Sequence, residues 1–326
     1  MSHDSFFPRV QRGTKEGVKK GWSGLIWLLK ILLPISFVTA LLVHFGIIYR
    51  LDFLLTPVMS WLCLPPSAAL VLVIGLFTGI YGTVAALSVM PFSLDHMTLM
   101  VIFILIAHNL IQESIIQGKT GINPFVAAIS RLALAFVITL ASAKIMGITP
   151  GSGPGAALDN LVGGSRAFGP MLKGWGIGTA WLTLQIFSII MPLMIILELA
   201  KIFNIIQRVL KFFSPVLTIL GLDKSCGLLW LTAAFFGLGY GSAVMVEETR
   251  ANKFDKDELT KLHLSIGVNH SIIEDPVLFL PLGIPIFWLW IPRLVAAVLA
   301  TYLFSLFSFA RRLYARRTCH KKICNH

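Results

Sequence analysis

The chain has 326 residues, of which 56% are hydrophobic and 13% charged, and its 27 Lys and Arg against 15 Asp and Glu give a net charge of +12. Its mean hydropathy is +0.82. Soluble domains hold roughly 45–50% apolar and about 25% charged residues, so this composition excludes an ordinary soluble fold and makes lipid the solvent for much of the chain. The positive charge lies in short stretches flanking apolar runs, which excludes a basic patch for nucleic acid and fits membrane orientation instead.

Residues 1–19 read as a basic cytoplasmic segment. Arg9, Arg12, Lys15, Lys19 and Lys20 precede the first apolar run, and no small-residue cleavage site follows it, so a removed signal is not expected. Eight apolar stretches follow that are long enough to span: residues 26–49, 68–90, 97–117, 125–143, 175–197, 226–246, 262–282 and 285–309. A crossing needs roughly 20 residues at about 1.5 Å each. Backbone polar groups must be satisfied inside lipid, and the alternation of a barrel strand is absent, so the expected class is all-α and polytopic. Two shorter elements, 51–64 and 203–222, are interrupted by Pro57 and Pro215. Residues 147–173, with the run Pro150-Gly151-Ser152-Gly153-Pro154-Gly155, read as a flexible linker. Residues 313–326 read as a basic tail. Its Cys319, His320, Cys324 and His326 offer two thiolates and two imidazoles, but the loose spacing at a chain end makes a poor metal clamp. Cys63 and Cys226 sit in apolar surroundings, and four cysteines are too few and too scattered for a disulfide framework.

The chain repeats itself. A shift of 158 places Pro34 on Pro192, Pro57 on Pro215 and Gly79 on Gly237. A shift of 162 then places Phe92 on Phe254, Asp95 on Asp257, His108 on His270, Glu113 on Asp275 and Arg131 on Arg293. Two homologous halves, 20–146 and 174–312, follow from this. If the short proline-broken elements cross, the chain makes ten passes and the halves are inverted; if not, it makes eight and they are parallel. The positive-inside rule favours inversion, and either count leaves both termini in the cytoplasm.

Ionisable groups near the bilayer centre cost at least about 2.5–3.5 kcal/mol, so each needs a reason. The third long span of each half concentrates them: His108, Asn109, Gln112 and Glu113 in the first, Asn269, His270, Glu274 and Asp275 in the second. On an unbroken helix, spacing of four aligns His108 with Gln112, Asn109 with Glu113 and His270 with Glu274. Pro276 weakens the helix there and frees backbone carbonyls. Arg131 and Arg293 are the expected counter-charges, for Glu113 and for Glu274 or Asp275. Such groups serve equally as interhelical glue, as a proton relay or as a cation site, and the residues leave a metal open.

Gly75, Gly79 and Gly82, and Gly237-Leu238-Gly239-Tyr240-Gly241 in the matching place, read as close packing or local unwinding; with no strand before them they make no phosphate loop. Glu247 and Glu248 begin a charged cytoplasmic loop. No GxSxG, HExxH or Walker motif is present, so neither an enzyme nor a cofactor is expected.

The runs His108-Asn109-Leu110-Ile111-Gln112-Glu113-Ser114 with Lys119-Thr120-Gly121 and Arg131-Leu132, and Gly239-Tyr240-Gly241 through Asn269-His270-Ser271-Ile272-Ile273-Glu274-Asp275, resemble the Gate-domain, or nucleoside recognition, membrane proteins of bacteria. That group is similar to the spore maturation proteins A and B and to the membrane part of the ferrous-iron transporter. The GTP-binding domain of the latter is missing, and no residue pattern reads a base or ribose. The resemblance implies a bacterial inner-membrane permease, with a small-molecule or ion substrate bound where the two Gate-like repeats meet. Its spore-maturation side implies the alternative, a non-transporting scaffold that forms homo-oligomers or serves a partner membrane subunit.

Overall fold

A computed structural model of the chain describes residues 6–47, 52–149, 168–203, 215–235, 237–238, 245 and 254–323. The labelled elements are all helices: α1 (Phe6–His44), α2 (Asp52–Trp61), α3 (Ala68–Thr78), α4 (Ile80–Leu87), α5 (Leu94–Ala107), α6 (Leu110–Lys119), α7 (Pro124–Ile145), α8 (Phe168–Ile202), α9 (Lys256–Asn269), α10 (Glu274–Val277) and α11 (Ile286–Ile323). A further helical stretch covers 227–235. Among the described residues, five stretches are long and apolar enough to cross a membrane: Phe6–His44, Leu94–Lys119, Pro124–Ile145, Phe168–Ala200 and Ile286–Tyr314. The chain is an all-α, polytopic membrane protein.

Which helices face lipid follows from where their apolar side chains lie. α5 is buried at every position from Thr98 to Ala107, and α9 at every position from Leu262 to Asn269. Helices apolar all round belong inside a bundle. α7, α8 and α11 instead expose large apolar side chains, among them Phe125, Ile129, Trp181, Ile196, Leu303 and Phe307, the surface that lipid covers. Ends are set by capping: Ser93 accepts from the His96 amide at 3.3 Å, Asn123 from the Phe125 amide at 2.9 Å, and Asp255 from the amides of Asp257 and Glu258.

α1 and α8 pack antiparallel over most of their length. Phe6 lies on Phe203, Lys20 bonds Glu198 at 2.8 Å, Trp22 meets Phe187, the Trp175 indole donates to Ser36 at 3.2 Å, and His44 meets Phe168. Glycines at spacing of four make the approach close. A Cβ on Gly13 would stand 2.7 Å from Leu199, one on Gly17 2.5 Å from the Ile195 backbone, and one on Gly21 2.7 Å from Met191. At the other end of the bundle's charged surface, Asp257 ties α9 to α11 through Ser308, Arg311 and Arg312. The Ser308 and Arg312 hydrogen bonds hold its carboxyl below the usual carboxylate range.

Several sequence boundaries are corrected. The basic segment 1–19 is no separate stub: α1 begins at Phe6, because Gly13 and Gly17 seat it on α8 and Arg9 donates to the Ile202 carbonyl. The 147–173 linker is helical from Phe168 onward, although 150–167 lie outside the described residues. The tail 313–326 continues α11 to Ile323; Cys324 to His326 lie outside the described residues, as do Gly239 to Gly241, Glu247 and Glu248. The spans expected at 68–90, 97–117 and 262–282 are broken. Gly79, at φ 82 and ψ −161, separates α3 from α4; the α5–α6 and α9–α10 breaks fall at His108–Asn109 and from His270 to Ile273. α2 has 10 residues, about 15 Å, or half a hydrocarbon thickness.

Gly17→Ala should lower the thermal midpoint of detergent-purified protein. Its Cβ would meet backbone at 2.5 Å, and overpacking of that kind costs about 1–3 kcal/mol. Gly24→Ala, with nothing within 4 Å of its Cβ, should be neutral or slightly stabilising. Equal midpoints for the two variants would mean that α1 does not rest on α8 as described.

Candidate functional site

Both buried helix breaks are built in the same way. Asn109 and Ser271 take left-handed backbone, φ 48 and φ 45. The Asn109 amide leaves its own helix and donates to the Gly75 carbonyl at 3.1 Å; the Ser271 amide donates to Ala233 at 3.2 Å. Each sits over a glycine of positive φ. A Cβ on Gly79 would lie 2.9 Å from the Asn109 amide nitrogen, and one on Gly237 2.5 Å from the Ser271 hydroxyl. Only glycine leaves room there.

A break inside the membrane strands carbonyls at the end of the first half-helix. Arginines from the next helix take them. Arg131 donates Nε–H to the Ile106 carbonyl at 3.0 Å and Nη2–H to His108 at 2.7 Å. Arg293 donates to Val268 at 3.1 Å and to His270 at 2.6 Å. Both guanidinium groups are 1% exposed, so each needs a counter-charge. Arg131 Nη1 lies 2.8 Å from Glu113 Oε2; Arg293 Nη2 lies 3.8 Å from Asp275 Oδ2. In the second break Pro276 cannot donate to the Ile272 carbonyl, which accepts from the Trp290 indole at 2.7 Å instead.

The histidines meet at the centre. His108 and His270 Nε2 are 3.1 Å apart. Glu113 Oε1 lies 3.3 Å from His108 Nε2 and 3.2 Å from His270 Nε2, and Asp275 Oδ2 lies 3.4 Å from His108 Nε2. Each histidine's Nδ1 is 2.9 Å from the carbonyl four residues back, Ile104 or Ile266. A carbonyl only accepts, so each Nδ1 carries hydrogen and, in the neutral rings, each Nε2 presents a lone pair to the other.

Of the candidate residues, the structure brings together His108, Glu113, His270, Asp275, Arg131 and Arg293. It does not bring in Gln112, whose side chain is exposed. Asn109 serves the break against Gly79. Glu274 lies to one side and accepts from the Tyr81 hydroxyl at 3.1 Å. Asn269 is fully buried, with neither amide atom hydrogen-bonded among the described residues. The pairing expected from an unbroken helix is overturned: His108 and Glu113, five apart, meet, whereas His108 and Gln112 do not. Arg293 pairs with Asp275 rather than Glu274.

A second polar layer was missed. Between α6 and α9, Gln117 donates to the His263 carbonyl at 3.3 Å and His263 Nε2 donates to the Thr120 carbonyl at 3.0 Å. Gln117 Oε1 and His263 Nδ1 are buried without a hydrogen-bond partner among the described residues. An ionisable His263 inside an apolar span was the available signal.

Arg131→Ala should remove two carbonyl bonds and strand Glu113, so folded protein in the membrane should fall steeply, at roughly 3–5 kcal/mol. Adding Glu113→Gln should restore only part of it, since the Ile106 and His108 carbonyls stay unmet. Arg293→Ala should behave alike. Full recovery in the double variant, read by size-exclusion yield, would show that the arginine serves only the carboxylate.

A Bacillus subtilis protein described as uncharacterized membrane protein YvoD is 28% identical over 293 residues, covering 87% of this chain and 91% of that protein. No family model and no solved structure matches the chain.

Proposed function

We propose that the chain is a bacterial inner-membrane transporter that moves a small polar or charged solute through the His108–His270 cluster, between two inverted homologous halves. The observation that carries this is the cluster itself. Two histidines and two carboxylates are buried where two helices break, and breaks that line a binding site at the midplane are a recurrent transporter device. The inversion is supported by α1 and α8. They occupy equivalent places in the repeat and run antiparallel, as Phe6 on Phe203 and His44 on Phe168 require; parallel halves would run them the same way. Each bond of the first break also recurs in the second at the 162-residue shift: Ile106 with Val268, His108 with His270, Asn109 with Ser271.

A second reading is favoured by one distance. Arg131 and Glu113 at 2.8 Å form a tight pair, as in a membrane scaffold or partner subunit that moves nothing. Against it, Asp275 holds Arg293 only at 3.8 Å, and interhelical glue gains nothing from two Nε2 lone pairs turned on each other.

Topology is tested by cysteine labelling in a cysteine-free background. With the N-terminus cytoplasmic, Thr149→Cys should react with an impermeant maleimide from outside, and Lys119→Cys only after permeabilisation. Lys119→Cys reacting from outside, with Thr149→Cys reacting only after permeabilisation, would end the inverted reading and leave the eight-pass parallel halves. Function is tested by reconstituting the protein in vesicles and screening nucleosides, divalent metals and small anions. Glu113→Gln and Asp275→Asn should leave folded protein and lower flux at least about tenfold, which corresponds to roughly 1.4 kcal/mol in the barrier. Full flux in a stable double variant would remove the cluster from the pathway. No flux of any solute by well-folded protein, joined to co-purification of a membrane partner, would favour the scaffold.

A further inference from the structure

We propose that His108 Nε2, His270 Nε2 and the Asp275 carboxylate form a three-ligand site for a divalent transition-metal cation of the zinc class, with Glu113 beside it. The proposal rests on the transport reading, of which it names the solute.

The distances carry it. His108 and His270 Nε2 are 3.1 Å apart, Asp275 Oδ2 is 3.4 Å from His108 Nε2, and the three ligand atoms all lie within 4.8 Å of one another. Ligand atoms about 3.3 Å apart are what bonds of about 2.0 Å at tetrahedral angles require, the length zinc takes with imidazole nitrogen and carboxylate oxygen, and three protein ligands leave a fourth position open. The protons point the same way. With both Nδ1–H groups committed to the Ile104 and Ile266 carbonyls, the two Nε2 atoms turn on each other at 3.1 Å, and a proton or a metal cation between them turns that contact into a bond. Donation of the second ring N–H to a carbonyl is also how metal-ligating histidines are held in tautomer and orientation. Glu113 stands beside the pair, with Oε1 and Oε2 each 3.2 Å from His270 Nε2 and Oε2 2.8 Å from Arg131 Nη1.

A further observation points to a ligand. Asp275 Oδ2 is buried and accepts no hydrogen bond among the described residues, though it faces His108 at 3.4 Å. The histidine pair and Asp275 present only electron-pair donors to the centre, so a cation suits the site better than an anion. Two imidazoles with a carboxylate suit zinc, cobalt or ferrous iron; the nitrogen share disfavours magnesium and calcium.

The test uses the full chain in detergent with Cys319→Ser and Cys324→Ser, so that the C-terminal thiols cannot contribute. After chelation and dialysis against Zn²⁺, the protein should retain one equivalent, and Co²⁺ in its place should give the intense visible bands of tetrahedral cobalt. His108→Ala, His270→Ala and the more conservative Asp275→Asn should each weaken binding by more than about 100-fold, since even groups that merely orient ligands are worth about 10–100-fold. Asp257→Asn, at the charged surface, should retain the metal. Folded wild-type protein that takes no metal at neutral pH, or metal that stays when both histidines are replaced, overturns the site. The two readings fail separately. Metal bound by a protein that transports nothing ends the transport reading and leaves the site; flux of another solute with no metal bound does the reverse.

Discussion

A helix broken inside lipid leaves carbonyls that no water can reach, and the interior of this protein is organised around answering that need twice. Arg131 and Arg293 reach from neighbouring helices to the carbonyls of the last turn before each break. No other side chain carries donors in a rigid fork that can serve two carbonyls and keep one edge free. The rest follows in sequence. A buried guanidinium requires a carboxylate, so Glu113 and Asp275 must stand beside it. A carboxylate in that position lies where the first half-helix ends, and there each histidine, anchored by Nδ1 to its own helix, turns Nε2 inward. The site is thus a consequence of how the breaks are stabilised, and truncating any one of its residues to alanine exposes a carbonyl or a charge, where an amide isostere of a carboxylate keeps shape and hydrogen bonding.

Much of this was legible in the sequence, because the residue types had no other reason to lie in apolar spans. His108, Glu113, His270, Asp275, Arg131 and Arg293 were picked out by their cost in lipid and by recurring at one shift. Their pairing was not legible. Helical spacing joined His108 to Gln112 and His270 to Glu274, and both pairings failed for a single cause. The left-handed turns at Asn109 and Ser271 insert a break that turns a neighbour at four into a neighbour at five. That break depends on an amide bonding to Gly75 or Ala233 in another helix, a tertiary contact with no local signature. Glycines at 79 and 237 were visible and were read as packing or unwinding; what they make room for, a side chain from a distant segment, was hidden.

Hydropathy located the apolar spans and misplaced their ends for a related reason. It weighs side chains and ignores what the backbone packs against. Gly13, Gly17 and Gly21 lie among lysines and arginines, so the segment read as a polar stub, yet their spacing of four is the close-packing pattern that seats α1 on α8. On α8 the glycines at 169, 174, 176 and 178 meet nothing within 4 Å. Of these, Gly169 lies in the 147–173 stretch read as a linker, because glycine is a poor helix former in water, a penalty that matters less where the alternative is an unbonded backbone in lipid.

The two halves agree at the site and differ beside it. Gln117, Thr120 and His263 form a polar layer between α6 and α9, while the residues at the matching places in the repeat are Phe279, Leu282 and Val101. Phe279 and Val101 are fully buried, as are Gln117 and His263, so packed apolar side chains in one half take the place of the polar layer in the other. Structural glue would gain nothing from orphaned polar atoms such as Gln117 Oε1 and His263 Nδ1, since each costs about 1–3 kcal/mol when buried without a partner. On the transport reading the asymmetry has a use. The unpartnered Gln117 Oε1 and His263 Nδ1 would offer a solute polar partners on its way to His108 and His270, which the packed Phe279 and Val101 would not. Exchange of access would then need the halves to move about the histidine pair.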